Sequence, residues 1–378
     1  MDKTDLMWQM QRLSKFIFLS RPRRFGKSLL STTLCSFFEG RKELFEGLKV
    51  MELEQEWKSY PVIHLDLSMA KNCTSTEELR DSLSFILQPY VKLYGSEEKE
   101  LLPGKLFQGL IRRAYEQTGR QVVLVIDEYD APLLEVLHED ENLPKFRKVM
   151  QEFYQPLKSS EAMVRFCFIT GITKFSQLSI FSTINNLKNI TLLPQFSAIC
   201  GITEQEVKTV FKTDIQAFAD AEGVAWDEMF QKIKTHYDGY HFAENSEDIY
   251  NPFSLLNALG DQKLNSYWFS TGTPTFLIEQ MKRFKTDITT LDRIEAPAES
   301  FDVPTEGMTS ALPLLYQSGY LTIKDYDSES LMYSLAIPNQ EVRIGFTRGL
   351  LPLYTGIESG EVQLGFAAKF WRHSRKRT

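Results

Sequence analysis

The sequence predicts an α/β protein built on one doubly wound parallel sheet, and three observations predict it. The apolar run Phe16–Leu19 passes through a basic bend into Gly26-Lys27-Ser28, where a helix opens. Gln121-Val-Val-Leu-Val-Ile-Asp-Glu128 carries five consecutive apolar residues, all but one β-branched, and ends in two acids, which describes a strand buried on both faces. Strand-like runs alternate with helical patterns to about residue 195, as in a parallel sheet covered by helices.

Taken in order, Asp2–Leu13 reads as a helix, Lys15–Leu19 as the first strand and Lys27–Phe38 as the next helix. A loop feeding a helix N-terminus turns free N–H groups and the positive end of the helix dipole toward one spot, which suits a phosphate. In the P-loop pattern the Lys reaches the β- and γ-phosphates and the Ser hydroxyl holds Mg²⁺; Lys27 and Ser28 have those identities. The pattern also asks for Gly where this chain has Arg21, and Pro22 has no N–H to donate. Arg21, Arg23 and Arg24 are expected to add positive charge around the loop. The nucleotide-binding set is thus Arg23, Arg24, Phe25, Gly26, Lys27, Ser28 and Leu29.

Tyr60–Ser68 is a second strand, and Ser75–Tyr94 and Lys105–Gln117 are helices that cover the sheet. Parallel sheets place ligands at the carboxyl ends of their strands, so Asp127 is expected near Ser28, orienting Mg²⁺. Glu128 would polarise an attacking water, with Lys27 as the other catalytic group. Val164–Gly171 is a further buried strand, where Thr170 or nearby Lys174 would sense the γ-phosphate. Asn189–Leu192 is a short last strand.

After about Gln195 the texture changes to short helices and aromatic turns. Glu204–Ala221 and Trp226–His236 read as helices, and Tyr237–Phe242 and Tyr250–Ser254 as turns packed by their rings. Gly272–Phe276 starts another helix. From Met308 the pattern gives helix, hairpin and helix, with a turn at Tyr326–Ser330 and a last helix over Glu341–Tyr354, a winged-helix texture. The expected division is a core over 1–195, a helical lid over 196–300, a winged-helix-like module over 301–356 and a tail over 357–378, with linkers at Leu193–Phe196 and Ala296–Glu306.

Composition narrows the classes. A chain of 378 residues, 43% hydrophobic and 25% charged, has room for roughly two or three domains. No apolar run approaches the roughly 20 residues that cross a bilayer, and Met1–Asp5 has none of the features of a signal peptide, so no membrane partner is expected and the chain reads as cytoplasmic. Cys35, Cys73, Cys167 and Cys200 form no CxxC pair, and the histidines show no ligand spacing apart from His236 and His241, five apart across an aromatic turn. A net charge of −7 argues against a surface that grips nucleic acid throughout. The basic run Lys369–Arg377 reads as a solvated end.

With these motifs in view, the chain resembles the AAA-ATPase-like family of bacterial proteins. The resemblance rests on Ser20–Ser28, Ile126–Asp130, Tyr250–Ser254, Trp268–Pro274 and Leu315–Thr322, and spans nearly the whole chain. It implies a P-loop ATPase core of the additional-strand type, a helical lid and a winged-helix-like module. It also implies that Lys27 and Ser28 are the phosphate and Mg²⁺ ligands, Asp127 the Walker B acid and Glu128 the catalytic acid; Tyr129 and Asp130 match without an assigned role. Family members usually begin earlier and often continue into a PD-(D/E)xK nuclease-like domain; none is seen here, so no nuclease activity is expected.

The expected function is an ATP-binding, ATP-hydrolysing molecular switch using Mg²⁺, whose modules are ordered until hydrolysis releases them. The alternatives are a nucleotide-gated module that binds protein or DNA with little hydrolysis, and a truncated, inactive family member. A protein partner or homo-oligomer suits either active form. DNA is the less favoured partner, because Ile323–Tyr354 offers only Lys324, Arg343 and Arg348.

Overall fold

A computed structural model describes residues 1–174, 186–271, 275–304 and 308–350. Helix α1 (Thr4–Leu13) leads into β1 (Phe16–Ser20), and the basic loop that follows ends at α2 (Lys27–Phe38). Strands β2 (Val62–Asp66), β3 (Val122–Asp127), β4 (Val164–Gly171) and β5 (Leu187–Asn189) complete a parallel sheet in the order β2-β3-β4-β1-β5. Strand β4 therefore stands between the strand of the basic loop and the strand of the two acids, which is the additional-strand arrangement of a P-loop α/β fold.

Burial explains the composition of these strands. Every residue of β1 and β3 is buried, and helices cover both faces of such a sheet, so apolar runs replace alternation. Edge strand β2 alternates instead. Its outer side is occupied by Tyr90, whose hydroxyl accepts from His64 N (2.7 Å) and donates to His64 O (2.8 Å), so the free edge offers less to an incoming strand. Tyr90 lies in the helix Thr76–Tyr94, which Ser75 caps by accepting from Glu78 N at 3.1 Å.

Register places the site. Ser20 pairs with Gly171 and Leu19 with Thr170, while Ile126 pairs with Ile169. The carboxyl ends of β1, β4 and β3 are thus level along one rim of the sheet, and the loop after β1 and the acids after Ile126 open on the same side.

Three elements differ from the sequence expectation. The single helix over Glu204–Ala221 is two, Glu204–Val210 and Lys212–Glu222, because the chain turns at Phe211 to pack that ring on the helical cluster. The turn at Tyr250–Ser254 is a helix start. After the short strand β7 (Ile249–Tyr250), paired with β6 (Ile202–Thr203), Asn251 accepts from Ser254 N at 3.2 Å and Pro252 takes the first position of the helix Pro252–Asp261. The last strand of the main sheet is β5, pairing Leu187–Asn189 with Phe16–Phe18 rather than running on to Leu192.

Helices between Glu204 and Asp261 enclose a core of their own around Ile215, Phe218, Phe230 and Leu255. Beyond them, β8 (Ile294–Ala296), β9 (Thr322–Asp327) and β10 (Met332–Ala336) form an antiparallel sheet in the order β8-β10-β9, flanked by the helices Leu312–Gln317 and Gln340–Gly345. The hairpin is as expected. Strand β8 is additional and begins two residues before the stretch read as a linker. The turn Gly272–Pro274, the helix end at Tyr354 and the basic tail lie outside the described residues.

Candidate nucleotide site

The loop after β1 is shaped by Gly26, which takes φ +88° as the N-cap of α2. A β-carbon there would meet nothing within 4 Å, so the backbone conformation, rather than crowding, calls for glycine. With no side chain at the cap, the first-turn N–H groups of α2 have no side-chain partner. Lys27 is buried, and its Nζ donates to the carbonyls of Arg21 (3.0 Å) and Pro22 (3.1 Å), folding over the loop it follows.

A cleft of about 440 Å³ opens beside this turn, lined by Arg23, Arg24, Gly26, Lys27, Ser28 and Leu29 from the loop and by Glu128 and Asp130 from the end of β3. Ser28 is exposed. Glu128 has φ +49°, a left-handed conformation uncommon outside glycine. Asp127, buried at the foot of this turn, accepts from Glu128 N at 2.9 Å. Burial pushes the Lys27 ammonium below its ordinary pKa, while the charges of Glu128, Asp127 and Asp130 hold it up. Burial raises the Glu128 carboxyl, and Lys27 opposes the rise. Lysine and acids therefore face one another across a low-dielectric space, where charge interactions are stronger than in water.

Two sequence expectations meet different surroundings. Arg21 adds no charge to the cleft. It is fully buried and donates through Nη1 to Ser20 O and Thr191 O (both 2.9 Å) and through Nη2 to Phe196 O (3.1 Å), with its guanidinium 4.2 Å from the Phe242 ring centre. The position that the motif gives to glycine thus holds a structural cation. Phe25 likewise turns its ring inward, edge-on to Tyr240 and Phe242 at 4.8 and 5.2 Å; only its backbone faces the loop.

Thr170 is buried, and its hydroxyl donates to Leu19 O at 2.8 Å. Lys174 is buried in an ion pair with Asp302. Residues that sequence reasoning passed over are Asp130, given no role there, and Lys71, Glu135 and Ile172, all of which line the cleft. Lys71 and Glu135 pair at 3.2 Å. Only Asp130 had a signal, its place in the Ile126–Asp130 motif; the others meet through tertiary folding.

The residues fit a polyphosphate with Mg²⁺. Arg24, 3.5 Å from the Phe253 ring centre, keeps a buried Nη1 with no hydrogen-bond partner among the described residues. The α2 N-terminus is uncapped, and Lys27 rests on carbonyls that a phosphate oxygen can replace. Ser28 and Asp127 supply the hard oxygen donors that Mg²⁺ prefers. Among the described residues no cluster of His, Cys, Asp and Glu suggests a further metal centre, and no helix is long and apolar enough to cross a membrane.

Residues 1–181 match the AAA-ATPase-like family model, described as a predicted AAA-ATPase. The chain is 33% identical over 355 residues to the uncharacterized protein in the vnfD 5′ region of Azotobacter chroococcum mcd 1, an alignment that covers 93% of this chain and spans 66% of the length of that relative. The solved structure of the Aeropyrum pernix ORC2 protein (ADPNP–ADP complexes) aligns over 94% of this chain and 93% of its own at 12% identity, with a TM-score of 0.33. The Gly26-Lys27-Ser28 turn, the two-acid strand and the inserted parallel strand all lie within residues 1–181, the stretch that matches the AAA-ATPase-like family model.

Proposed function

We propose that the chain binds Mg²⁺-ATP in the cleft between α2 and the end of β3 and hydrolyses it, acting as a nucleotide-dependent switch. One observation carries the reading: Lys27 sits under an uncapped helix N-terminus with Glu128, Asp127 and Asp130 at the same rim of the sheet. Lys27 and the first N–H groups of α2 would hold the phosphates, joined by Arg23, Arg24 and the loop backbone from Phe25 to Leu29. Ser28 and Asp127 would hold Mg²⁺, which supplies neutralising charge on the phosphate oxygens. Glu128, whose carboxyl faces the cleft, would orient the attacking water and take its proton.

Calorimetry of Mg²⁺-ATP binding, run beside steady-state phosphate release, tests this on the wild type, Lys27→Ala and Glu128→Gln. The expected outcome is binding lost by about 100-fold or more in Lys27→Ala, and binding kept with turnover down about 100-fold in Glu128→Gln. Wild-type protein that neither binds nor hydrolyses ATP would sink the proposal.

A low-turnover form that waits for a protein partner or a second copy of the chain is favoured by one further observation. Thr170 and Lys174, the groups at the end of β4 expected to reach the γ-phosphate, are committed to Leu19 and Asp302. DNA has less support still, since Lys324 donates to Gly239 O (2.8 Å) and Pro338 O (2.9 Å) and Arg343 pairs with Asp292 at 2.5 Å. Addition of a physiological partner that raises phosphate release would identify the gated form.

A further inference from the structure

Asp130 lines the nucleotide cleft, and its carboxylate is bonded to the chain that leaves β4. Its carboxylate, fully buried, accepts from Ile172 N (3.1 Å), Thr173 N (2.7 Å) and the Thr173 hydroxyl (2.7 Å). Its neighbour Tyr129 donates its hydroxyl to Thr173 O at 2.9 Å and its N–H to Thr170 O at 3.1 Å. Gly171 is the residue that admits this grip, because a β-carbon there would collide with the Asp130 carboxylate and the Tyr129 ring. The chain leaving β4 is therefore held by the segment that leaves β3.

The next residue carries the contact onward. Lys174 N donates to Gln317 Oε1 at 2.8 Å, and its ammonium pairs with Asp302. Gln317 in turn donates through Nε2 to Phe301 O (3.2 Å) and Val303 O (2.8 Å). Gln317 ends the helix that packs on the β8-β10-β9 sheet, and Phe301 belongs to that sheet's core. A single buried line of polar contacts thus runs from the wall of the cleft to the C-terminal sheet. Buried networks of this kind are costly to leave half-made, so a shift at one end is met by rearrangement along the line rather than by a broken bond.

We propose that Asp130 is a positioning residue that couples occupancy of the nucleotide cleft to the C-terminal sheet, by holding Ile172–Lys174 against Gln317 and Asp302. This rests on the reading of the cleft as a nucleotide site. Phosphate negative charge entering beside Lys27 acts on the Asp130 carboxylate directly, and the only way that carboxylate can move is with the N–H groups it holds. Asparagine keeps the shape but removes the charge on which the phosphates act, and with its oxygen in the place of Oδ2 its amide N–H₂ would face Ile172 N, which also donates to Oδ1 at 3.3 Å.

Hydrogen exchange of the full chain, with and without saturating Mg²⁺ and a non-hydrolysable ATP analogue, tests the coupling. Wild-type protein should show exchange over 312–336 slowed about tenfold by the nucleotide. Asp130→Asn, measured at its own saturating concentration, should show a change under about twofold. Gln317→Met guards against a merely misfolded Asp130 variant: it lies outside the cleft, so it should bind the analogue with wild-type affinity yet lose the exchange response. A wild-type-sized response in either folded variant overturns the coupling while leaving the nucleotide reading intact. Wild-type protein that fails to bind the analogue overturns both.

Discussion

Arg21 shows at the scale of one residue how far a motif letter can mislead. Its guanidinium donates to the carbonyls of Ser20, Thr191 and Phe196 at once in a fully buried setting, a service that the fork geometry of arginine makes available. Arg21→Met is expected to lower stability by about 3 kcal/mol, and Arg21→Lys to recover less than half of it, both read from urea melts. Glu341 is the opposite case, a fully buried carboxylate that accepts from Trp268 N at 2.8 Å. Burial pushes it up to about 7, against its bonds from Trp268, Ser254 and Tyr267 and the charge of Arg24. The folded protein then keeps a proton that the unfolded chain releases at ordinary carboxylate pH. Stability contributed by this group therefore falls as pH rises from about 4.5 to about 7 and is level above, a difference of about 3 kcal/mol at most. Glu341→Gln should raise the melting temperature at pH 8 and leave it unchanged near pH 4.5; equal shifts at both values would refute the assignment.

Among the elements, the basic loop is held by residues more than 200 positions further along the chain, residue by residue. Pro22 lies against Gly319, Arg23 O accepts from Asn251 at 3.5 Å, Arg24 stacks on Phe253, and Phe25 sits between Tyr240 and Phe242. Gly319 has φ +87°, and a β-carbon on it would come within 2.7 Å of Pro22 Cβ. Gly319→Ala is expected to cost about 2–3 kcal/mol and to weaken ATP binding, because the loop itself must give way. Gly47→Ala is the control: φ is +77° but nothing lies within 4 Å, so about 1 kcal/mol of backbone strain should be the whole effect, with ATP binding unchanged. Paired urea melts and calorimetry separate the two.

For the whole molecule, the consequence is a shared core. One apolar cluster runs from Met7 through the parallel sheet to Tyr240, Trp268, Leu277, Leu315 and Val342, so the ATPase-like core and the later modules bury one another's surface. A fragment ending at residue 200 would expose Phe25, Pro22 and the face of the Arg21 guanidinium that Phe242 covers, and is expected to aggregate or to melt well below the full chain in scanning calorimetry. Two well-separated transitions in the full chain, with the fragment reproducing one of them, would contradict this. The same sharing gives the nucleotide cleft a physical route to the rest of the protein, through the loop at one side and through Asp130 at the other.

What the sequence determined by itself was local. Apolar runs of β-branched residues read as buried parallel strands, a Gly-Lys-Ser turn after such a strand reads as the start of a helix, and acids that close a buried strand fall at the ligand rim; hence β1, β3, β4, α2 and the placement of Lys27, Glu128 and Asp127 were legible, to within two residues at their boundaries. Asn251-Pro252 was a legible cap that was read as a turn. Tertiary structure alone decided that Arg21 and Phe25 face inward, that Thr170 and Lys174 are already engaged, and that Asp130 holds the end of β4. These are choices among partners more than 40 residues distant along the chain, and no local pattern encodes which buried carbonyl a guanidinium will meet. Strand β8 was missed for the same reason: three residues become a strand only because β10 offers them an edge.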